Sequence, residues 1–502
     1  MEQSTGDKMK YSGYGNLEYL GKLKNSKSTG IASSRLGVGF ECLDREMWDI
    51  NQAWPVLEDL GVKWARVQSG WAKTEKKAGV YDFTWLDLIV DKLLKKGVQP
   101  WLSISYGNPV YTENVNTSPA GISPNYQGCN EFGVGFPPIH TPEERQGWQN
   151  YVRALVKHFR NRVTHYEVWN EPDLLSFWKC QPKAADYVDL VRLTAGPLRE
   201  EQPDAKLIGG AIAWGMTAWS LKYLEDCMKA GLHELIDIIT YHGYKSIPER
   251  HSTQEIAAFR HLLEKYKPSL EYWQGEAGVQ SFVPEKARGV GALSTMKFSE
   301  DIQARMLLRR TLLELHNGCS MSSYFHMADF AHYAAFKETF HYGLVRLKDG
   351  SPKPSYYALQ TLCTLLCDPM EPANGRTAAH MSVLDDTADP RATKATTWHA
   401  NFIRGNVPVH AWWIPESLEN DPVVRQAEMM FWMDNDLCLE NPVLIEPVSQ
   451  EVYAVKYDFD KRTCGETWMD PDPNAEGIRH FKPLPFSTDP LIITDRSIVK
   501  IN

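Results

Sequence analysis

Along most of the chain, apolar positions at helical spacing alternate with short apolar runs that can be buried on both faces. Such runs open near Leu36, Trp64, Trp101, Val163, Leu207, Ile236, Glu271 and Met321, and continuous runs of this kind predict strands of a parallel sheet. Between the second and third, Leu86, Ile89, Val90, Leu93 and Leu94 form one helical stripe that Gly97 ends as a C-terminal cap. Before the fourth, Thr141-Pro142-Glu143-Glu144 supplies an N-cap, a first-turn proline and a capping-box glutamate. Trp148, Tyr151, Val152, Leu155, Val156 and Phe159 follow at helical spacing. After the fourth strand, Tyr187, Leu190, Val191, Thr194 and Leu198 repeat the period. Eight βα units predict an α/β fold, a (β/α)8 TIM barrel carrying insertions, because such barrels need about 250 residues without them. An open doubly wound sheet could use the same strands, but no Gly-rich turn follows the first.

Near residue 367 the pattern changes to short β-rich runs broken by Pro, Asn, Asp and Gly. Val407–Trp413, Val443–Ile445, Val452–Val455 and Leu491–Thr494 are strand candidates at β-sandwich spacing. The expected organisation is an N-terminal extension (1–33) packing on the barrel or the sandwich, a catalytic barrel (34–366) and a β-sandwich accessory domain (367–502). The accessory domain is expected to serve as structure packed on the barrel. With 502 residues, 43% of them hydrophobic, the chain exceeds the usual size of one domain.

Barrel enzymes build their sites from the C-terminal ends of several strands. The fourth strand, Val163–Trp169, runs into Asn170-Glu171-Pro172-Asp173, where proline closes the ladder. The seventh, in Tyr272-Trp273-Gln274-Gly275-Glu276-Ala277-Gly278, brings Glu276 to its mouth. The two glutamates are 276 − 171 = 105 positions apart, close to three βα units, so both carboxylates face one cleft. Glycosidic bond cleavage needs such a pair: one group protonates the departing oxygen, and the other attacks the anomeric carbon or activates water.

Other strand ends add groups suited to a sugar. Arg66 and Gln68 lie on the second strand, Tyr106 and Asn108 after the third, and His242 and Tyr244 after the sixth. Alternation puts the last two on one side. Trp71, Trp178, Trp273 and Phe325 lie near strand ends, where flat rings can stack on a sugar's CH face. Glu41 ends the first strand, with a site role and a salt bridge to Arg45 both open. Glu167, inside the fourth strand, is a candidate barrel ion pair.

Glu167-Val168-Trp169-Asn170-Glu171-Pro172-Asp173, followed by Phe177-Trp178 and Tyr187, resembles the acid/base region of clan A glycoside hydrolases. The likeness is greatest to family 39, the beta-xylosidase and alpha-L-iduronidase type. Leu60-Gly61-Val62-Lys63-Trp64-Ala65-Arg66, Gly79-Val80-Tyr81-Asp82-Phe83 and Tyr342-Gly343-Leu344-Val345 before Pro352-Lys353-Pro354 extend the similarity over residues 36 to 366. The resemblance implies that Glu171 is the general acid/base and Glu276 the nucleophile of a retaining double displacement. By the same resemblance, Asn170 would bind the sugar 2-hydroxyl, Tyr244 would orient Glu276, and His242 and Arg66 would support the nucleophile or the −1 sugar. Two departures fall where substrate choice is made. Gln274-Gly275 precedes Glu276 and Ala277-Gly278 follows it, where the family usually has threonine before and a bulky residue after. The eighth strand offers Tyr324-Phe325-His326-Met327, where many clan members place tryptophan.

For this chemistry Glu171 must start protonated and Glu276 ionised, in different surroundings. Arg66, His242 or Tyr244 beside Glu276 would favour its ionised form. No metal or other cofactor is required, and HExxH, EF-hand and paired Cys-x-x-Cys patterns are absent.

A net charge of −9 gives no basic surface for nucleic acid, and no apolar run approaches membrane-spanning length. The expected partner is an oligosaccharide or glycoside substrate, with no nucleic acid and no membrane, and a homo-oligomer remains open. The first residues lack a signal-peptide stretch, so the expected location is cytoplasmic if Met1 is the native start. Nine scattered cysteines fit free thiols. Long connections at 106–140 and 328–346 could wall one end of the cleft and favour exo action on terminal sugars. The alternatives are an endo-acting polysaccharide hydrolase of the same clan and a barrel that binds glycan without cleaving it.

Overall fold

The computed structural model describes residues 17–112, 134–213, 215–250, 252–283, 298–331, 339–383, 397–418, 425–460 and 477–502. After an edge strand, β1 (Glu18–Lys22), come the eight barrel strands: β2 (Leu36–Gly39), β3 (Trp64–Gln68), β4 (Gln99–Ile104), β5 (His165–Val168), β6 (Lys206–Ile212), β7 (Ile238–His242), β8 (Glu271–Ala277) and β9 (Met321–Tyr324). They pair in chain order, and β9 returns to β2 with Leu36 opposite Ser322, closing the barrel. The eight expected strands are present, because runs buried on both faces mark a parallel barrel.

Local chemistry sets the boundaries. Thr141 accepts from Glu144 N at 3.2 Å, and the Glu144 carboxylate reaches back to His140 N at 2.9 Å, starting the helix Pro142–Phe159. The fourth barrel strand is shorter than Val163–Trp169. Val163 N still donates to Phe159 O, ending the helix, and Trp169 already has a left-handed φ of 68°.

The C-terminal strands are β10 (Met370–Pro372), β11 (Thr377–Val383), β12 (Trp398–Arg404), β13 (Val407–Trp413), β14 (Arg425–Met433), β15 (Pro442–Ile445), β16 (Glu451–Ala454), β17 (Tyr457–Asp460), β18 (Ile478–Phe486) and β19 (Leu491–Asp495). They form a seven-stranded sheet, β1-β16-β15-β19-β13-β12-β10, and a four-stranded sheet, β11-β14-β18-β17. Ile403, Trp412, Leu444 and Ile493 meet Met429, Phe431 and Phe481 between the sheets. Their alternates Phe402, Trp413, Val443 and Ile492 join the barrel's core on the other face. The larger sheet is therefore a middle layer. That explains why β13 is buried at every position while β14 alternates.

Polar groups also cross this junction. Trp413 Nε1 donates to Glu249 Oε1 at 2.7 Å, Arg309 grips the same carboxylate at 2.6 Å, and Arg309 Nη1 reaches Glu416 O at 3.0 Å. The N-terminal extension contributes β1, antiparallel to β16. Cys42, Cys180, Cys227, Cys319, Cys363, Cys367 and Cys438 are free thiols, whereas Cys129 and Cys464 lie outside the described residues. No described helix is long and apolar enough to cross a membrane.

Candidate active site

The turn after β5 is held in an unusual backbone shape. Trp169 and Glu171 both have positive φ, 68° and 49°, and so does Ala211 on β6, at 48°. Each such non-glycine residue costs about 1–3 kcal/mol and persists only when its surroundings enforce it. Here Trp169 N donates to Ile104 O at 3.0 Å, Glu171 N to Ala211 O at 2.9 Å, and Ala213 N to Asp173 Oδ1 at 2.9 Å. These bonds, from β4 and β6 on either side, aim Glu171 into the barrel mouth.

Glu276 enters from β8. Its Oε1 accepts from the Tyr244 hydroxyl at 2.8 Å and its Oε2 from Arg66 Nη1 at 2.7 Å. His242 Nδ1 lies 2.9 Å from Glu171 Oε1 and 3.8 Å from Glu276 Oε2. One oxygen of each glutamate and one ring nitrogen of His242 fall within 4.8 Å of one another. The geometry of that trio could hold a cation, but the Arg66 guanidinium already supplies positive charge at 2.7 Å from Glu276.

Arg66 is fully buried and organises the floor. Its Nε donates to Glu167 Oε2 at 2.7 Å, its Nη2 to Asn170 Oδ1 at 3.0 Å, and its Nη1 also to Glu41 Oε1 at 3.3 Å. Thr240 Oγ1 donates to the second Glu167 oxygen at 2.6 Å. Glu167 is thus an ion-pair partner inside the barrel, and Glu41 turns inward to Arg66.

The two carboxyls differ in electrostatics. Burial, followed by the neighbouring charges of Glu276 and Asp173, holds Glu171 well above the usual carboxylate range. Burial also raises Glu276, but Arg66 and the Tyr244 hydroxyl both pull it back toward the ionised form. Burial pushes Glu41 up to about 8, against the pull of Arg66. Burial, with help from Arg66, drives His242 well below its ordinary value, so it is neutral near pH 7. A neutral imidazole can accept from the Glu171 acid or donate to its carboxylate.

Glu171, Glu276, Asn170, Arg66, His242 and Tyr244 therefore converge. Phe325 joins the rim, its ring 6.5 Å from Tyr244 and 5.3 Å from Tyr342. Three expected substrate contacts do not reach this cluster. Asn108 Nδ2 donates to the carbonyls of Glu75 at 2.8 Å and Trp71 at 3.4 Å, fixing loop backbone. Trp178 is fully buried, edge-on to Trp169 at 5.4 Å and Tyr187 at 6.2 Å. Trp273 packs with Trp64, Trp101 and His165 lower in the barrel, three residues before Glu276. Trp71 is likewise core, stacked on Tyr111 and Tyr151. Tyr342 was missed as a site residue. It stands near the end of the long connection 328–346, where a tyrosine carries no distance signal to the glutamates.

The sequence profile of Glycosyl hydrolases family 39 matches residues 56–410. The chain belongs to that family. Among curated relatives, the beta-xylosidase of Geobacillus stearothermophilus is 26% identical over 201 residues, 39% of this chain and 36% of that protein. The beta-xylosidase of Caldicellulosiruptor saccharolyticus is 25% identical over 215 residues, 40% of each. The matches thus span about two fifths of the length of these relatives. A family 39 glycoside hydrolase from the gut symbiont Bacteroides cellulosilyticus WH2 shares the fold with a TM-score of 0.60 at 18% identity, over 92% of this chain and 81% of that one. A family 39 beta-xylosidase from Caulobacter crescentus does so at 0.54 and 17% identity, over 95% and 97%.

Proposed function

We propose that this family 39 protein is a retaining, exo-acting glycosidase of beta-xylosidase type, with Glu171 as acid/base and Glu276 as nucleophile. The observation that carries the proposal is the unequal treatment of two carboxyls with oxygens within 4.8 Å. Glu276 receives hydrogen bonds from a guanidinium and a phenol, while Glu171 faces a neutral imidazole. Retaining enzymes separate these groups by about 5 to 5.5 Å, and inverting enzymes by roughly 6.5 to 9.5 Å to admit a water. The short gap favours retention.

In the first step Glu276 bonds to the anomeric carbon, the bond to the leaving oxygen breaks, and the Glu171 proton passes to that oxygen. Esterified Glu276 is uncharged, which removes the largest neighbouring charge raising Glu171 and readies its carboxylate to take a proton from water. Water then displaces Glu276 and restores both groups. The beta-xylosidase activity of two relatives supports a xylosyl substrate, and the length of the connections 106–140 and 328–346 in the sequence supports end-on access. Residues 113–133 and 332–338 of those loops lie outside the described residues.

The test is incubation with an activated fluorosugar, followed by peptide mapping. An adduct on Glu276 with the xylosyl reagent is expected. An adduct on another residue, or glycan binding with no adduct from xylosyl, glucosyl, galactosyl or arabinosyl reagents, overturns the assignment. Product sizing on xylo-oligosaccharides tests exo action, which internal cleavage without free monosaccharide would sink.

A further inference from the structure

Among the described residues, Trp219 is the only tryptophan standing largely in solvent, 65% exposed. It is the second residue of the helix Ala218–Lys229, which returns from β6 and so begins at the barrel's C-terminal mouth. Thr217 caps that helix, accepting from Ser220 N at 3.5 Å. Two side chains of the first turns tie it to the loop carrying Glu171. The Ser220 hydroxyl donates to Asp173 Oδ2 at 3.5 Å, and the Tyr223 hydroxyl donates to Pro172 O at 3.3 Å.

Residues four apart share one helix face, and side chains lean toward the helix N-terminus. Trp219 therefore stands one turn above Tyr223 on the stripe that meets Pro172, leaning out toward the mouth. The exposed indole offers a large flat apolar face with a polar N–H edge, a shape suited to stacking on a ligand. Tyr223, on the same stripe, is buried against the protein, so the exposure is specific to the position above the Glu171 turn. The acid/base side of a glycosidase site faces the leaving group, since the acid must reach the departing oxygen.

We infer that Trp219 is a stacking platform for a sugar on the leaving-group side of the scissile bond. The inference rests on Glu171 being the acid/base. The ligand class is a pyranose unit presenting its CH face to the indole, the aromatic-on-CH contact such rings make. It gives the protein a means to prefer oligosaccharide over glycosides whose leaving group is small. The ring lies outside the hydrogen-bonded cluster around Glu276, so its removal leaves the reacting groups in place.

The experiment compares Trp219→Ala and Trp219→Phe with the parent protein on two substrates of one sugar and one anomeric form. Xylobiose has a sugar leaving group, and the corresponding glycosyl fluoride has none to stack. For Trp219→Ala the expected result is a fall of about tenfold in kcat/KM on xylobiose, with the fluoride unchanged and Trp219→Phe in between. Equal losses on both substrates, or no loss on xylobiose, overturn the inference. Failure of the parent protein to turn over either substrate, with no fluorosugar adduct on Glu276, would instead count against the catalytic reading on which it rests.

Discussion

Arg66 Nη1 lies 2.7 Å from Glu276 Oε2, and the same fully buried guanidinium also binds Glu167, Asn170 and Glu41. One cation thus joins the proposed nucleophile to the turn that presents the proposed acid. Breaking a buried pair by removing one partner leaves an uncompensated charge and costs about 3–5 kcal/mol. Arg66→Gln is expected to lose stability of that order in urea denaturation. It should also raise Glu276, because Arg66 is the strongest influence holding that carboxyl down. Glu276 must be ionised to attack, so the acid limb of the kcat/KM profile should move to higher pH. An unchanged limb in folded variant would remove Arg66 from the nucleophile's electrostatics.

Tyr244 acts on the same carboxylate without contributing a charge. Its hydroxyl donates to Glu276 Oε1 at 2.8 Å, and hydrogen bonds to charged groups contribute about 1.5–3 kcal/mol. Tyr244→Phe should therefore lower kcat by about ten- to a hundredfold, with the acid limb again moving up. Comparison of single-turnover rates with thermal unfolding separates this variant from Arg66→Gln, since loss of a neutral phenol should disturb the fold much less.

The barrel was legible because each strand is apolar on both faces and each helix carries a stripe at its own period. The glutamate pair was legible because both sit where an apolar run ends, three βα units apart. What the pattern could not supply is height within the barrel. Period two tells which residues point inward, but Trp273 points inward below the site, among Trp64 and Trp101. Arg66 meets Glu167 because β3, β4 and β5 are staggered so that Arg66 aligns with Trp101 and Glu167 with Ser103. That register comes from closure of the barrel, and no single segment encodes it. Asn108 and Trp178 belong to loops whose backbone and core needs outweigh their position near a strand end.

Removal of the acid has a different signature from removal of the groups around the nucleophile. General acid–base catalysis contributes about 10²- to 10⁴-fold, and the need for it grows as the leaving group becomes more basic. Glu171→Ala should cut kcat by that order on oligosaccharides and far less on substrates with acidic phenol leaving groups. Added azide should restore turnover by attacking the glycosyl intermediate without a base, giving a glycosyl azide of retained configuration that chromatography and NMR identify. Azide product of inverted configuration would contradict the double displacement.

Asp173 offers a cleaner handle on the acid, since it influences Glu171 through charge while its own contacts can be preserved. It is buried, its Oδ1 accepts from Ala213 N at 2.9 Å, and burial raises its carboxyl to about 6. Above that pH it is ionised, and its negative charge helps keep Glu171 protonated. Asparagine retains an acceptor for Ala213 N and a polar partner for Ser220 but carries no charge. With that charge gone, Glu171 releases its proton more readily. Activity that requires protonated Glu171 is then lost at lower pH as pH rises, so the basic limb of kcat/KM should move down in Asp173→Asn. The acid limb, set by Glu276, should stay where it is, and the profile should narrow from one side only. A basic limb that moves up, or one that stays fixed while the acid limb shifts, would show that Asp173 does not tune the proton donor.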